Sequence, residues 1–281
     1  MGAPITPSPR NAIVVTGASL AGRARHTIHS PVIGRSRATL GVMTDVSDTD
    51  RAPWAVLTWN VHGIDEPDLD GLAAAIRVES PDVVVLQEIR QAQARGLARE
   101  LAMRYSWAFK HNPYTRLMAS RAEGMAIMTP HTLDAAGHTE ISDGRSRRSW
   151  RRRIAQWALI GRSDGGIVRI YNLHLSPHEN AASRRAEAVR VVDLVAEHGD
   201  DPPAVVAGDL NDADDPHIVF ALPGIEHVVP TNTNPAQAPS QLLDHVLLPP
   251  EAAGVSVTVP AGGDEWASLS DHLPVTVRFT I

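Results

Sequence analysis

Short apolar runs alternate with helix-spaced apolar positions along the chain from Trp54 onward. The run WAVLTWN (54–60) reads as a strand, and the run VVVL (83–86) is continuously apolar, which is typical of a strand covered on both faces. Between them, residues 69–80 carry apolar side chains every three or four positions, and this spacing predicts a helix. The same spacing over 91–103 predicts a second helix. The alternation indicates a domain that mixes helices and strands.

The pattern continues through the second half of the chain. Residues 124–128 read as a strand, and residues 150–160 and 167–173 predict a β-hairpin whose turn is RSDGG. The longest predicted helix covers 179–197, where apolar positions again recur at helical spacing. Further strands are predicted at 203–208, 242–248, 254–259 and 273–280.

The first 50 residues differ from the rest of the chain. They are rich in small and polar residues without a sustained period, so we expect them to be mostly disordered and residues 51–281 to form one catalytic domain. Other interpretations stay open. Residues 13–22, IVVTGASLAG, contain the glycines of a dinucleotide-binding turn, but no βαβ unit follows them. The apolar run at 12–15 is shorter than a signal peptide requires, and translation could begin at Met43.

Composition excludes several classes of protein for this chain. The chain has 281 residues, of which 43% are hydrophobic, and this is enough for one core between two packed layers. No run is long enough to span a bilayer. Cysteine is absent, which excludes disulfides and thiol chemistry and agrees with a cytoplasmic location, although secretion is not excluded. The net charge is −6, and Lys110 is the only lysine. We expect a monomer.

Polar residues stand where the apolar strands end. The run AVVAGDLND ends in Asp209 and Asn211, which lie on one face because strand side chains alternate. Other strands end in a similar way, and a Ser-Asp-His triplet precedes the last strand. The residues concerned are Asn60, Glu88, His174, Asp244, Asp271 and His272. Carboxylates, amides and histidines collected from six strand ends predict one metal-dependent site.

The ordered motifs TWNVHG, VVLQEI, YNLHLSP, VAGDLND, LLDHVLL and SDHLPV resemble those of the endonuclease/exonuclease/phosphatase superfamily. The resemblance covers roughly residues 54–281. It implies an α+β fold, a four-layer α/β/β/α sandwich of two packed mixed β-sheets with outer helices. It also implies an active site at the rim that the two sheets share, and metal-dependent hydrolysis of phosphoesters.

The resemblance further implies roles for single residues. Glu88, Asn60 and Asp271 would hold the metal, and oxygen ligands favour Mg²⁺ or Mn²⁺ over Zn²⁺. Asp209 would activate the attacking water, and Asn211 would position the phosphate.

Two histidines complete the implied machinery. His272 would contact the phosphate, while Asp244 would hold its tautomer and raise its pKa. His174 would be the second histidine of the site, and Glu123, before the run GMAIM, would be its partner.

The expected substrate is a phosphodiester of DNA or RNA. The run GRSRRSWRRR contains Arg147, Arg148, Trp150 and Arg151, which could bind phosphates and stack on a base, or could form a solvated loop. Arg90, after LQEI, is a further candidate phosphate contact. The alternatives are a phosphatase or phosphodiesterase for a small or lipid phosphoester, and a non-catalytic phosphate- or protein-binding module on the same fold.

Overall fold

The computed structural model describes residues 12–16, 52–111, 122–142, 152–212 and 226–281. The strands are β1 (Ala12–Thr16), β2 (Trp54–Asn60), β3 (Val83–Arg90), β4 (Arg104–His111), β5 (Glu123–Thr129), β6 (Thr132–Glu140), β7 (Ile154–Gly161), β8 (Ile167–His174), β9 (Ala204–Asp209), β10 (Glu226–His227), β11 (Asp244–Leu248), β12 (Ala253–Pro260) and β13 (Val275–Thr280). The helices are α1 (Leu69–Glu79), α2 (Gln91–Glu100), α3 (Ala181–His198) and α4 (Asp264–Ala267).

The strands form two mixed sheets that pack face to face. Within the described residues, one sheet has the strand order β1-β12-β13-β2-β3-β5-β4 and the other the order β10-β11-β9-β8-β7-β6. Each sheet contains a parallel pair, β2 with β3 and β8 with β9, whose crossover connections contain α1 and α3 respectively. Helices α1 and α2 cover the first sheet, and α3 covers the second. The predicted four-layer α/β/β/α sandwich is therefore confirmed.

Helix α1 shows how the sequence defines one of these crossovers. The carboxylate of Asp68 accepts a hydrogen bond from the backbone of Asp70, and this caps the helix start. Leu72 and Ile76 lie on one face and are fully buried against the sheet. The helix ends at Glu79, and the φ of 46° at the next residue, Ser80, lies in the left-handed region and turns the chain back toward β3. No helix in the described parts of the chain has both the length and the apolar character to cross a membrane.

An amide network joins the two sheets close to the ends of β3 and β8. The side chain of Asn172 in β8 donates hydrogen bonds to the carbonyl oxygens of Leu86 and Ala126, each at 3.0 Å. Gln87 in β3 donates to the Asn172 side-chain oxygen at 2.8 Å. Because buried polar groups need specific partners, this network holds β3 and β8 in one relative position. Glu88 directly follows Gln87, and His174 lies two residues after Asn172, so the network also fixes the relative position of Glu88 and His174.

Gly208 precedes the last residue of β9 and has a φ of 146°. A Cβ at this position would collide with the backbone carbonyl of Leu173 in the neighbouring strand. We expect Gly208→Ala to lower the free energy of unfolding by about 3 kcal/mol, measured by urea titration, because strain and a backbone clash combine. Gly199→Ala is the matched control, since Gly199 also has a positive φ (77°) but has open space around it. Equal losses in both variants would contradict the clash.

The structure corrects the sequence-based prediction at several elements. Strands β4 and β6 were not predicted, and the helix expected over 91–103 ends at Glu100. Strand β6 lies at a sheet edge and is largely exposed, so its sequence lacks a buried apolar face. Within the segment expected to be mostly disordered, β1 pairs antiparallel with β12. The division of the chain at residue 50 stays a prediction.

Candidate active site

The carboxyl ends of the two parallel strand pairs lie at one edge of the sandwich. Asn60 is paired with Gln87 across β2 and β3, and His174 is paired with Asp209 across β8 and β9. Asp244 at the start of β11 lies opposite Asp209 on its other side. The sheet register therefore brings these strand-end residues together, as the sequence pattern indicates.

Asp209 is the buried centre of this group. Its Oδ2 lies 3.0 Å from Nδ2 of Asn60, and its Oδ1 accepts the backbone N–H of Asn211 at 3.0 Å. Asn211 has a left-handed φ of 52°, and its amide donates to the carbonyl of Leu175. Burial raises the pKa of Asp209 to about 6, because desolvation disfavours the ionised form. The carboxylate is therefore ionised at neutral pH but more basic than an ordinary aspartate.

His272 and Asp244 form a buried pair beside Asp209. Nδ1 of His272 lies 2.7 Å from Oδ2 of Asp244, which also accepts the hydroxyl of Thr233 at 2.6 Å. Nε2 of His272 lies 3.9 Å from Oδ2 of Asp209. Burial lowers the pKa of His272, but the charges of Asp244 and Asp209 and the hydrogen bond to Asp244 raise it to about 10. The ring is thus an imidazolium at neutral pH.

Glu88 is directed toward the same site by a break in the sheet. The pairing of β3 with β5 shifts register between Leu86 and Ile89, and Glu88 has a left-handed φ of 53°. Its Oε1 lies 3.3 Å from Nδ2 of Asn60 and 3.7 Å from Nε2 of His174. Bulges and strained backbone are often found at functional sites because they redirect a side chain.

Lys110 joins His174 to Glu123. Its Nζ lies 2.9 Å from Nδ1 of His174 and 2.6 Å from Oε1 of Glu123, and the side chain is buried. In its ammonium form Lys110 donates to Nδ1, so a neutral His174 carries its hydrogen on Nε2. That nitrogen lies 3.7 Å from both Glu88 and Asp209. This contact was not predicted from the sequence, although Lys110 is the single lysine of the chain.

His62 lies between two of the predicted metal ligands. Its Nε2 is 4.0 Å from Oε2 of Glu88, and its Nδ1 is 3.9 Å from Oδ1 of the half-exposed Asp271. The third predicted ligand, Asn60, accepts the backbone N–H of His62 with its Oδ1 at 3.1 Å. His62 belongs to the motif TWNVHG but was not among the residues predicted for the site.

Two groups of side chains at this edge could hold a cation, and Glu88 is common to both. Glu88, Glu123 and His174 each offer a ligand atom within 4.8 Å of the others. The group implied by the resemblance instead combines Glu88 with Asn60 and Asp271. Oxygen donors dominate both groups, and such donors suit a hard divalent ion.

The predicted substrate contacts are less fully defined. The guanidinium of Arg90 donates to Oε1 of Glu66 at 3.1 Å and to the carbonyl of Ile64 at 3.0 Å, so these two contacts fix its position. The remaining candidates lie outside the described residues: Arg147, Arg148, Trp150 and Arg151.

A sequence model of the Endonuclease/Exonuclease/phosphatase family matches residues 57–272, and the chain belongs to this family. An uncharacterised protein of Escherichia coli K12, YbhP, is 25% identical over 256 residues, which is 82% of this chain and 97% of that protein. Tyrosyl-DNA phosphodiesterase 2 of Xenopus tropicalis is 36% identical over 62 residues, which is 21% of this chain and 17% of that enzyme.

Solved structures agree with the fold. A mannosyl-6-phosphatase of Bacteroides thetaiotaomicron superposes with a TM-score of 0.64 at 17% identity, covering 81% of this chain and 100% of that one. Tyrosyl-DNA phosphodiesterase 2 of Caenorhabditis elegans gives a TM-score of 0.61 at 20% identity, covering 82% and 74%. At these identities the likeness concerns the fold, and members of the family hydrolyse phosphoester bonds.

Proposed function

We propose that this protein is a divalent-metal-dependent phosphodiesterase that hydrolyses phosphodiester bonds of DNA or RNA. The observation that carries the proposal is the position of Asp209. Its buried carboxylate lies within 4 Å of His174 and His272 and accepts a hydrogen bond from the side-chain amide of Asn60. A carboxylate held in this way beside Glu88 suits the activation of water next to a bound phosphate.

In the proposed mechanism Asp209 is the general base. It removes a proton from water as the water oxygen attacks phosphorus, and the bond from phosphorus to the leaving oxygen breaks. Its raised pKa of about 6 supports this role, since a base works best when its pKa is near the working pH. The hydrogen bonds from Asn60 and from the backbone of Asn211 hold the carboxylate in one orientation.

His272 stabilises the charge that develops on the phosphoryl group. Its Nδ1–H is held by Asp244 at 2.7 Å, which leaves Nε2–H free to donate toward a phosphate oxygen. Charge-assisted hydrogen bonds of this kind are stronger than neutral ones. Asn211, whose backbone N–H binds Asp209, would help to position the phosphate.

Glu88, with Asn60 and Asp271, would hold Mg²⁺ or Mn²⁺. The donor set fits such an ion, because Glu88 and Asp271 offer partly exposed carboxylate oxygens at the rim. When bound, the ion would neutralise charge on the phosphoryl oxygens and stabilise the leaving oxygen.

A substrate panel tests the proposal. Plasmid DNA, single-stranded DNA, RNA, abasic DNA, inositol phosphates, sphingomyelin and a sugar phosphate would each be incubated with Mg²⁺, Mn²⁺ or EDTA. We expect metal-dependent cleavage of a nucleic acid and none in EDTA. A phosphatase acting on a small phosphoester is the second candidate, since a structural neighbour is a mannosyl-6-phosphatase. Absence of any hydrolysis, or hydrolysis that survives EDTA, would reject the proposed activity.

The pH profile should have two limbs. We expect kcat/KM in Mg²⁺ to rise with pH through the pKa of Asp209, about 6, because the base must be deprotonated. It should fall through the pKa of His272, about 10, because the imidazolium must be protonated. A bound cation adds positive charge, and this moves the acidic limb to lower pH.

Asp244→Asn is the variant that checks the basic limb. The Asp244 charge and its hydrogen bond raise the pKa of His272, so the variant should move this limb to lower pH. The acidic limb should move in the same direction, because the Asp244 charge also raises the pKa of Asp209. A basic limb that does not move in Asp244→Asn would exclude His272 as its source.

A further inference from the structure

Lys110 is the extra residue of a β-bulge in the pairing of β4 with β5. Phe109 lies opposite Gly124, and the next paired residues are His111 and Glu123. Three residues of β4 therefore span two residues of β5, with Lys110 in the middle. Bulges redirect side chains, and they are common beside active sites. This bulge directs a lysine side chain, which is only 2% exposed, toward the interior beside Glu123.

The amino group of Lys110 lies between two atoms that are typical metal ligands. Nζ is 2.6 Å from Oε1 of Glu123 and 2.9 Å from Nδ1 of His174. These two residues form, with Glu88, one of the two candidate cation groups. A contact of 2.6 Å fits a charge-assisted hydrogen bond from an ammonium to a carboxylate. This group therefore already contains a cation that the protein itself supplies.

The ammonium group also prevents His174 from binding an ion. An ammonium has only donors, so Nδ1 of His174 must accept with its single lone pair. The hydrogen of the neutral ring then lies on Nε2, which leaves neither ring nitrogen with a free lone pair. A histidine that binds a metal instead donates its other N–H to an acceptor. While Lys110 is an ammonium, Glu88 and Glu123 therefore lack their third ligand.

Charge and size both suit an ammonium in the place of an ion. Burial and the charge of Arg153 lower the pKa of Lys110, whereas the charges of Glu123 and Glu88 and the hydrogen bond to Glu123 raise it. An ammonium is a compact point charge, whereas a guanidinium is a planar fork. The chain has 26 lysine and arginine residues, and this position carries the single lysine. Lysine is the basic side chain that best imitates a bound ion here.

We propose that the ammonium group of Lys110 takes the place of a second divalent ion, so that the protein binds a single one. Two-metal phosphohydrolases hold their ions about 3.5–4 Å apart, and Lys110 supplies positive charge without the second ion. The first ion lies at the group of Glu88, Asn60 and Asp271. The inference rests on the proposed function, which requires that ion. Lys110 is a positioning residue that keeps the hydrogen of His174 on Nε2, the nitrogen on the side of Glu88.

Counting bound Mn²⁺ tests this inference without any substrate. Protein stripped with EDTA and then freed of the chelator would be titrated with Mn²⁺, and free Mn²⁺ would be measured by electron paramagnetic resonance. We expect one bound ion in the parent protein and two in Lys110→Met. Methionine keeps the apolar stem but ends one atom short of Nζ, so the place of the ammonium opens and His174 can present a lone pair. Lys110→Gln repeats the measurement if Lys110→Met does not fold.

Further variants locate the second ion. In the Lys110→Met background, Glu123→Gln should return the count to one ion, because the second ion loses a charged ligand. Glu123→Gln alone should keep the single ion of the parent protein. Arg104→Met is the matched control, since Arg104 is an exposed cation at the other end of β4, and it should also bind one ion.

The outcomes separate this inference from the proposed function. A parent protein that binds no Mn²⁺ would reject the metal dependence of the proposed function, and this inference with it. Two ions in the parent protein, or one ion in both Lys110→Met and Lys110→Gln, would overturn the inference and leave metal-dependent hydrolysis intact. A lower Tm in Lys110→Met with an unchanged count of one ion would assign Lys110 a purely structural role.

Discussion

Replacing Asp209 with asparagine should lower kcat/KM at least about 100-fold, because an amide cannot accept the proton of the attacking water. The fold should persist. The amide oxygen can still accept one of the two hydrogen bonds that the carboxylate receives from Asn60 and from the backbone of Asn211. Burial already disfavours the charge on Asp209, so a neutral side chain of the same shape removes an electrostatic cost.

The measurement is steady-state hydrolysis in Mg²⁺ together with a thermal melt of each variant. Asp193→Asn is the matched control, since Asp193 is an exposed aspartate of α3, and it should retain activity. Turnover at the parent rate in Asp209→Asn would remove Asp209 from the proposed mechanism. If Asp209→Asn lowers both the Tm and the activity strongly, the carboxylate supports the fold and not the reaction.

Most residues of the candidate active site could be predicted from the sequence, because the end of a strand is a local feature. An apolar run followed by Asp209, His174 or Glu88 is visible in the sequence, and parallel pairing then brings such ends together. The sequence could not reveal the role of Lys110. That residue lies in β4, whose sequence RYSWAFKH mixes polar and apolar residues, and its partner His174 is 64 positions away.

The choice between metal-binding groups also depends on contacts that a sequence does not show. Glu88 reaches its position through a bulge and a left-handed backbone conformation, which propensities do not predict. Strand β6 was missed for a related reason, because an exposed edge strand needs no apolar face. By contrast, α1 was predicted closely, because its cap and its buried face both depend on neighbouring residues.

Glu88→Gln should raise the Mg²⁺ concentration for half-maximal activity roughly 10- to 100-fold, a range typical of damaged metal sites. Glutamine keeps the shape of the side chain but loses the charge that attracts a hard cation. Because Glu88 belongs to both candidate metal groups, this variant tests metal binding irrespective of which group is used. The half-maximal concentration would be measured on EDTA-stripped protein, and an unchanged value would exclude Glu88 as a ligand.

Two further variants decide between the groups. Lys110 already lies against Glu123 at 2.6 Å and His174 at 2.9 Å, so an internal cation partly neutralises that group. We therefore expect Asp271→Asn to raise the Mg²⁺ requirement more than Glu123→Gln does, even if Glu123→Gln lowers the maximal rate. The opposite order would move the ion to Glu88, Glu123 and His174 and would make Lys110 its competitor. In that case Lys110→Met should lower the Mg²⁺ requirement, which the Asp271 assignment does not predict.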